Sequence, residues 1–302
     1  MTLGGAQVAV GAAAIFARWA LTGALPLAVC AGRLCIAAVA LLALSAIQGE
    51  RAVVNRRERN ILIAGGFFLA VHFAGWVWSL EYTSVAVSTL LVATTPIWTA
   101  LYDSVVRGSH LSRLAWGAFA LGGVGLAVLV GFNRTAPPIG GHALAGAILA
   151  LVGAFAIGAY WILIREVRDA LSTRTIVTRT YSWAAVALVL AAFAARQPLP
   201  SAHDGLAWGG IAAMAVFSQL LGHTAMNAAL RWFSPSAIAF TTVIEPVIAA
   251  LLALAIFHES LTTIAVLGGL LVLAAIAIVL REESLAERTN PLTRLERSTE
   301  KG

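Results

Sequence analysis

Ile61 to Leu80 reads ILIAGGFFLAVHFAGWVWSL, twenty residues without a charge. At 1.5 Å per residue this makes a helix about 30 Å long, the thickness of a bilayer's hydrocarbon core. Charge-free stretches of similar length lie at 82–102, 114–133, 143–164, 205–230 and 260–280. Four more, near 3–21, 25–47, 174–195 and 234–257, are interrupted by Arg18, Arg33, Arg179 and Glu245. The expected fold is an all-α integral membrane protein of ten transmembrane helices with short connections. A barrel does not fit, because its strands would alternate over about ten residues, whereas these runs are continuous. Composition agrees: the 302 residues are 60% hydrophobic and 11% charged, where soluble domains run near 25% charged.

Basic residues alternate from loop to loop. Loops 48–60, 107–113 and 165–174, the turn at Arg231 and the tail from Arg281 hold fifteen, and the opposite set holds only Arg134 and Arg196. The positive-inside rule then places both termini in the cytoplasm. The high pI follows from this bias, so no nucleic acid partner is expected. Residues 1–17 contain no basic residue, so the first apolar stretch is expected to stay as a span. Cys30 and Cys35 share one helix without His or acidic neighbours, so neither a disulfide framework nor a metal site is expected. The sequon Asn133-Arg134-Thr135 falls in an outward loop and carries no meaning in a bacterium.

The two halves of the chain resemble each other. Tyr82-Thr83-Ser84 matches Phe233-Ser234-Pro235 after 151 residues, and Pro96 matches Pro246 after 150. Leu111-Ser112 matches Leu261-Thr262, Arg18 matches Arg165, Arg33 matches Arg179, and His72 matches His223. Five helices are an odd number, so a second copy enters the membrane from the opposite side. The expected units are an inverted pair, 3–133 and 142–281, with a cytoplasmic tail at 282–302 exposed to solvent. Such repeats place a solute site near the midplane between the halves and expose it alternately to either side.

Polar groups at membrane depth are costly, roughly 2.5–3.5 kcal/mol for a central charge on insertion scales, so each is a candidate for function. His72 shares a helical face with Trp76 and Ser79. Gln219, His223 and Asn227 form a stripe at four-residue spacing that either lines a cavity or bonds neighbouring helices. Ser88, Thr95, Trp98 and Tyr102 follow one face of the fourth span. Pro96 frees the carbonyl four residues back, which can serve a solute. Trp98 and Tyr102 either stack on a solute's side chain or belong to an interfacial aromatic belt. Glu245 either binds a proton or an ammonium group or caps loosened backbone. A single lysine, Lys301, argues against carriers of phosphorylated sugars.

The run Thr241-Thr242-Val243-Ile244-Glu245-Pro246-Val247, with Ala249-Ala250-Leu251-Leu252, His258-Glu259-Ser260-Leu261-Thr262 and Gly268-Gly269, resembles the signature of EamA-type transporters in the drug/metabolite transporter superfamily. Thr94-Thr95-Pro96, Leu111-Ser112 and Gly122-Gly123 give a weaker form, and Pro26 with Arg33 resembles the family's second helix. The likeness covers residues 3 to 281. It implies a basket whose helices 1, 3, 4, 6, 8 and 9 line the cavity, leaving Arg33 and Arg179 to interhelical or carbonyl contacts. Trp76 to Ser84 and Thr94 to Trp98 look most like the family's aromatic amino acid exporters.

The expected function is therefore export of neutral or aromatic amino acids across a bacterial inner membrane. The partners expected are the bilayer and a small solute, with no cofactor and a functional monomer. A carrier of drugs or other metabolites is the alternative. An intramembrane enzyme is a distant third, needing a serine beside His72 or His223.

Overall fold

The computed structural model describes residues 3–49, 53–107, 112–132, 142–232, 242, 244–259 and 262–289. Phe233-Ser234-Pro235, the sequon at Asn133 and the end of the tail from Asn290 lie outside them. Among the described residues every regular element is helical: α1 Leu3–Gly11, α2 Ala13–Ala20, α3 Pro26–Ile47, α4 Arg56–Ser79, α5 Val85–Val92, α6 Thr95–Arg107 and α7 Arg113–Phe132 come first. Then follow α8 Ala143–Arg165, α9 Thr173–Ala194, α10 Gly205–Ala213, a π-helical segment Met214–His223, α11 Thr224–Ala229, α12 Glu245–Phe257 and α13 Thr263–Thr289.

Among the described residues, seven stretches are long and apolar enough to cross a bilayer: 26–47, 56–79, 85–102, 143–165, 173–194, 205–229 and 263–282. Two shorter apolar helices cover 113–128 and 245–257. The first predicted span is divided at Ala12 into α1 and α2. Helix α13 runs eight residues past 281, so the expected tail begins as a continuation of the last helix. Leu285, Ala286, Glu287 and Arg288 are good helix formers.

Helix starts carry capping residues where the sequence turns polar. At α4, Glu58 N–H donates to Asn55 Oδ1 and Asn55 N–H donates to Glu58 Oε2, both at 2.9 Å, a reciprocal cap that satisfies two otherwise orphan donors. Ser84, Ser172 and Asp204 cap α5, α9 and α10 in the simpler one-way manner. Phe67, Trp116, Leu190 and Phe193 are exposed on the outer faces. So much open apolar surface is stable against lipid and not against water.

Helix α4 packs on α8 and α9, α3 on α9, and α7 on α13. Helices α10 and α2 pack together, as do α1 and the π segment, and α12 touches both α1 and α5. The α4–α8 seam depends on two glycines. A Cβ at Gly75 would sit 2.7 Å from the Leu149 carbonyl oxygen, and one at Gly153 would sit 3.2 Å from that of His72. The backbones meet where any larger residue would hold them apart.

Two irregularities shape the interior. Pro96 has no N–H to give the Val92 carbonyl and its ring crowds the preceding turn, so the helix breaks at Ala93-Thr94 between α5 and α6. The π segment is the second, its wider turns rotating the side chains that follow it relative to a plain α-helix.

Candidate functional site in the central cavity

Helices from both halves surround a cavity of about 600 Å³, counted to its open side. One wall is the α1–α2 junction at Val10, Gly11 and Ala13, and another is His72, Phe73 and Trp76 of α4. Thr89, Val92, Ala93 and Thr95 enter from the α5–α6 break, and Ile157 and Trp161 from α8. His223 closes the π segment, Met226 follows it in α11, and Thr242 and Glu245 come from the ninth expected span. All of these belong to the first, third, fourth, sixth, eighth or ninth expected span. Arg33 of α3 also lines the cavity and lies outside that set.

The polar groups are held by specific contacts. His72 Nδ1 lies 2.9 Å from the Gly153 carbonyl oxygen. A carbonyl only accepts, so this bond assigns a proton to Nδ1. The close approach at Gly75 and Gly153 brings the two partners within reach. The His72 and His223 rings are 6.3 Å apart and both contact Phe73, at 4.8 and 5.3 Å. Arg33 is fully buried, its Nε–H donating to Gln219 Oε1 at 3.0 Å and its Cζ lying 4.0 Å from the Phe73 ring centre.

Five of the sequence candidates meet at this cavity: His72, Trp76, Thr95, His223 and Glu245. Six do not. Ser79 Oγ donates to the Trp76 carbonyl oxygen and shares a 2.6 Å bond with Ser88 Oγ, which ties α4 to α5. Trp98 Nε1–H donates to Thr94 Oγ1, and its ring meets Phe155 edge-on at 5.9 Å. Tyr102 is 36% exposed on the outer surface. Gln219 bonds Arg33, and Asn227 accepts from Tyr160 OH at 2.9 Å, so both lie in helix–helix contacts. The Val92 carbonyl freed by Pro96 accepts from Thr95 Oγ1 at 2.7 Å, so the threonine occupies a site that the sequence leaves open for a solute.

Phe73, Trp161 and Arg33 lacked a sequence signal for this cavity. Phe73 and Trp161 look like ordinary apolar core, and the family resemblance left Arg33, like Arg179, to interhelical or carbonyl contacts. The structure separates those two arginines: Arg33 is buried, whereas Arg179, two turns into α9, is exposed. Near a helix end, its long side chain can reach the interface.

A second polar cluster lies at one end of the bundle. Arg18 Nη2 is 3.1 Å from Glu259 Oε1 and donates to the Thr83 carbonyl oxygen at 3.1 Å. Glu259 Oε2 accepts the Val85 N–H at 3.1 Å. These contacts join the end of α2, the α4–α5 turn and the α12–α13 connection.

The profile of the EamA-like transporter family matches residues 3–131 and 144–281. No curated protein matches the sequence. Among solved structures, one described only as the crystal structure of a protein has a TM-score of 0.64 with this chain at 17% identity. The match covers 92% of this chain and 96% of that one. At that identity the likeness concerns the fold alone.

Proposed function

Since the chain belongs to the EamA-like transporter family, we propose that it is a secondary transporter exporting amino acids, neutral and aromatic ones foremost, by alternating access. Family membership and the apolar helices make it a multi-pass membrane protein of the drug/metabolite transporter superfamily, carrying small molecules. One observation carries the finer reading. The cavity wall combines the aromatic faces of Phe73, Trp76 and Trp161 with a few polar groups, Arg33, His72 and Glu245. An apolar pocket with sparse, well-placed polar groups suits a solute with an apolar side chain and a charged head.

The architecture that fits this reading is ten spans in two inverted units, 3–133 and 142–281, followed by the tail at 282–302. Helix pairing supports it. The α4–α8 contact joins the third and sixth spans, and the contacts of α10 and the π segment with α2 and α1 join the eighth and first. Those are the same pairing under the repeat. The α3–α9 and α7–α13 contacts join repeat mates to each other, as a twofold relation requires. Cytoplasmic termini, a bacterial inner membrane and a functional monomer complete the proposal.

An exporter of drugs or other metabolites is the second reading, favoured if the aromatic wall acts alone. An intramembrane enzyme has less support: Ser79 and Ser218 bond to backbone carbonyls, and neither bonds to His72 or His223.

The deciding experiment uses purified protein in liposomes preloaded with unlabelled amino acids. Labelled phenylalanine, methionine and threonine are expected to enter faster than into empty liposomes. If none of them does, the amino acid reading fails and the metabolite carrier takes its place. Within this assay Trp161→Ala is expected to lower the phenylalanine-to-threonine rate ratio roughly two- to tenfold, the worth of one aromatic contact. Trp98→Ala is expected to leave that ratio unchanged, since Trp98 rests on Phe155.

A further inference from the structure

Arg33 brings a cation into the cavity wall with most of its donors unused. Its Nε–H is taken by Gln219, and its guanidinium lies over Phe73, with the Trp76 ring centre at 5.9 Å. These contacts fix the plane of the group. They leave Nη1 and Nη2 buried without a hydrogen-bond partner. A guanidinium does not shed its proton to escape this cost, so it needs an anion. No ion pair supplies one among the described residues. The same cavity holds Glu245, whose Oε1 is also buried without a partner.

We infer that Arg33 is the carboxylate subsite of the substrate cavity and Glu245 its ammonium counterpart, so that the cavity selects zwitterions. The inference rests on the amino acid reading above. A simple cation would satisfy Glu245 and leave Arg33 desolvated and unpaired, and a simple anion would do the reverse. An α-amino acid carries an opposite charge for each while adding no net charge to a low-dielectric site. The two outer nitrogens of a guanidinium match the spacing of two carboxylate oxygens, and with Nε held by Gln219 they are the edge available. Phe73 backs this edge, and Trp76 and Trp161 remain for the side chain.

The test is binding to the purified full chain, measured by competition against labelled phenylalanine and directly by calorimetry. The probes are phenylalanine, phenylalaninamide, which lacks the carboxylate, and 3-phenylpropionate, which lacks the ammonium. Wild type is expected to prefer phenylalanine to each analogue by about 10–100-fold, the worth of a charge-assisted hydrogen-bonded pair. Arg33→Gln is expected to abolish the preference over the amide and keep that over phenylpropionate, and Glu245→Gln the opposite. Equal wild-type binding of phenylalanine and its amide would overturn the Arg33 subsite and leave an aromatic amine carrier standing. An equal loss for both ligands in Arg33→Gln would overturn it too, assigning Arg33 to structure. Phenylpropionate binding that disappears in Arg33→Gln, without phenylalanine binding, would keep the Arg33 subsite and discard the amino acid reading. No binding of any probe to wild type would overturn both. The wild-type series decides even if Arg33→Gln fails to fold, and Arg33→Lys provides a second variant that keeps the charge.

Discussion

In Arg18→Ala, a cysteine placed at Ala93 is expected to react with a membrane-impermeant maleimide from the outer side roughly ten times faster than in its parent. The parent is a chain with Cys30→Ser and Cys35→Ser. Ala93 lines the cavity, and the Arg18–Glu259 pair lies at the end that arginine counting places outside. The pair joins the first expected span to the connection after the ninth, so it ties the proposed halves together where an outward-open state would separate them. The two side chains are 20% and 25% exposed. That places the pair between surface bridges worth about 0–1 kcal/mol and buried ones costing 3–5 kcal/mol to break. A middle figure of about 1.5 kcal/mol corresponds to about tenfold in population. Glu259→Gln should act in the same direction. The exchange Arg18→Glu with Glu259→Arg should recover part of the protection. Recovery stays partial because the native carboxylate also accepts the Val85 N–H and Arg18 also bonds the Thr83 carbonyl. Unchanged labelling in both single variants would remove any latch role from the pair.

Gly75→Val is expected to lose about 3 kcal/mol of stability, the upper end for overpacking, and to cut uptake by more than an order of magnitude. The added Cβ would meet the Leu149 carbonyl oxygen at 2.7 Å and the Gly153 nitrogen at 3.2 Å. Backbone atoms of a packed helix do not yield as a flexible side chain does, so α4 must move away from α8. The His72–Gly153 bond then breaks, and with it the placement of the cavity's α4 wall. Gly117→Val is the control, because nothing lies within 4 Å of a Cβ there. Its stability should stay within about 0.5 kcal/mol of wild type. Thermal melting in detergent, followed by size exclusion, reads both. Equal melting of the two variants would show that the α4–α8 seam tolerates expansion.

The helical, membrane-embedded character of this chain was legible because it depends on local sums. A run such as Ile61–Leu80 is apolar whatever its neighbours are, and lipid accepts it only as a helix with its backbone bonds closed internally. The carbonyl freed by Pro96 was legible for the same reason, since a missing N–H is a property of the residue, whereas the full break into α5 and α6 was not. Which polar side chains share the cavity was not. The stripe of Gln219, His223 and Asn227 assumed regular α-helical turns. The π segment changes the register, and the three residues separate toward Arg33, the cavity and Tyr160. Arg33 and Arg179 occupy equivalent places in the expected repeat, yet one is buried against Gln219 and Phe73 and the other is exposed.

The sequence by itself determined the class, an apolar helical membrane chain with polar groups rare enough to be noticed singly. Tertiary structure alone decided which of them were paired off, as Ser79 was with Ser88, and which kept unused donors or acceptors at the cavity, as Arg33 and Glu245 did. Hydrophobicity adds up residue by residue along the chain. A hydrogen bond needs two atoms within about 3 Å at the right angle, and the Arg33–Gln219 partners are 186 residues apart, so only the rotation and tilt of packed helices could bring them together.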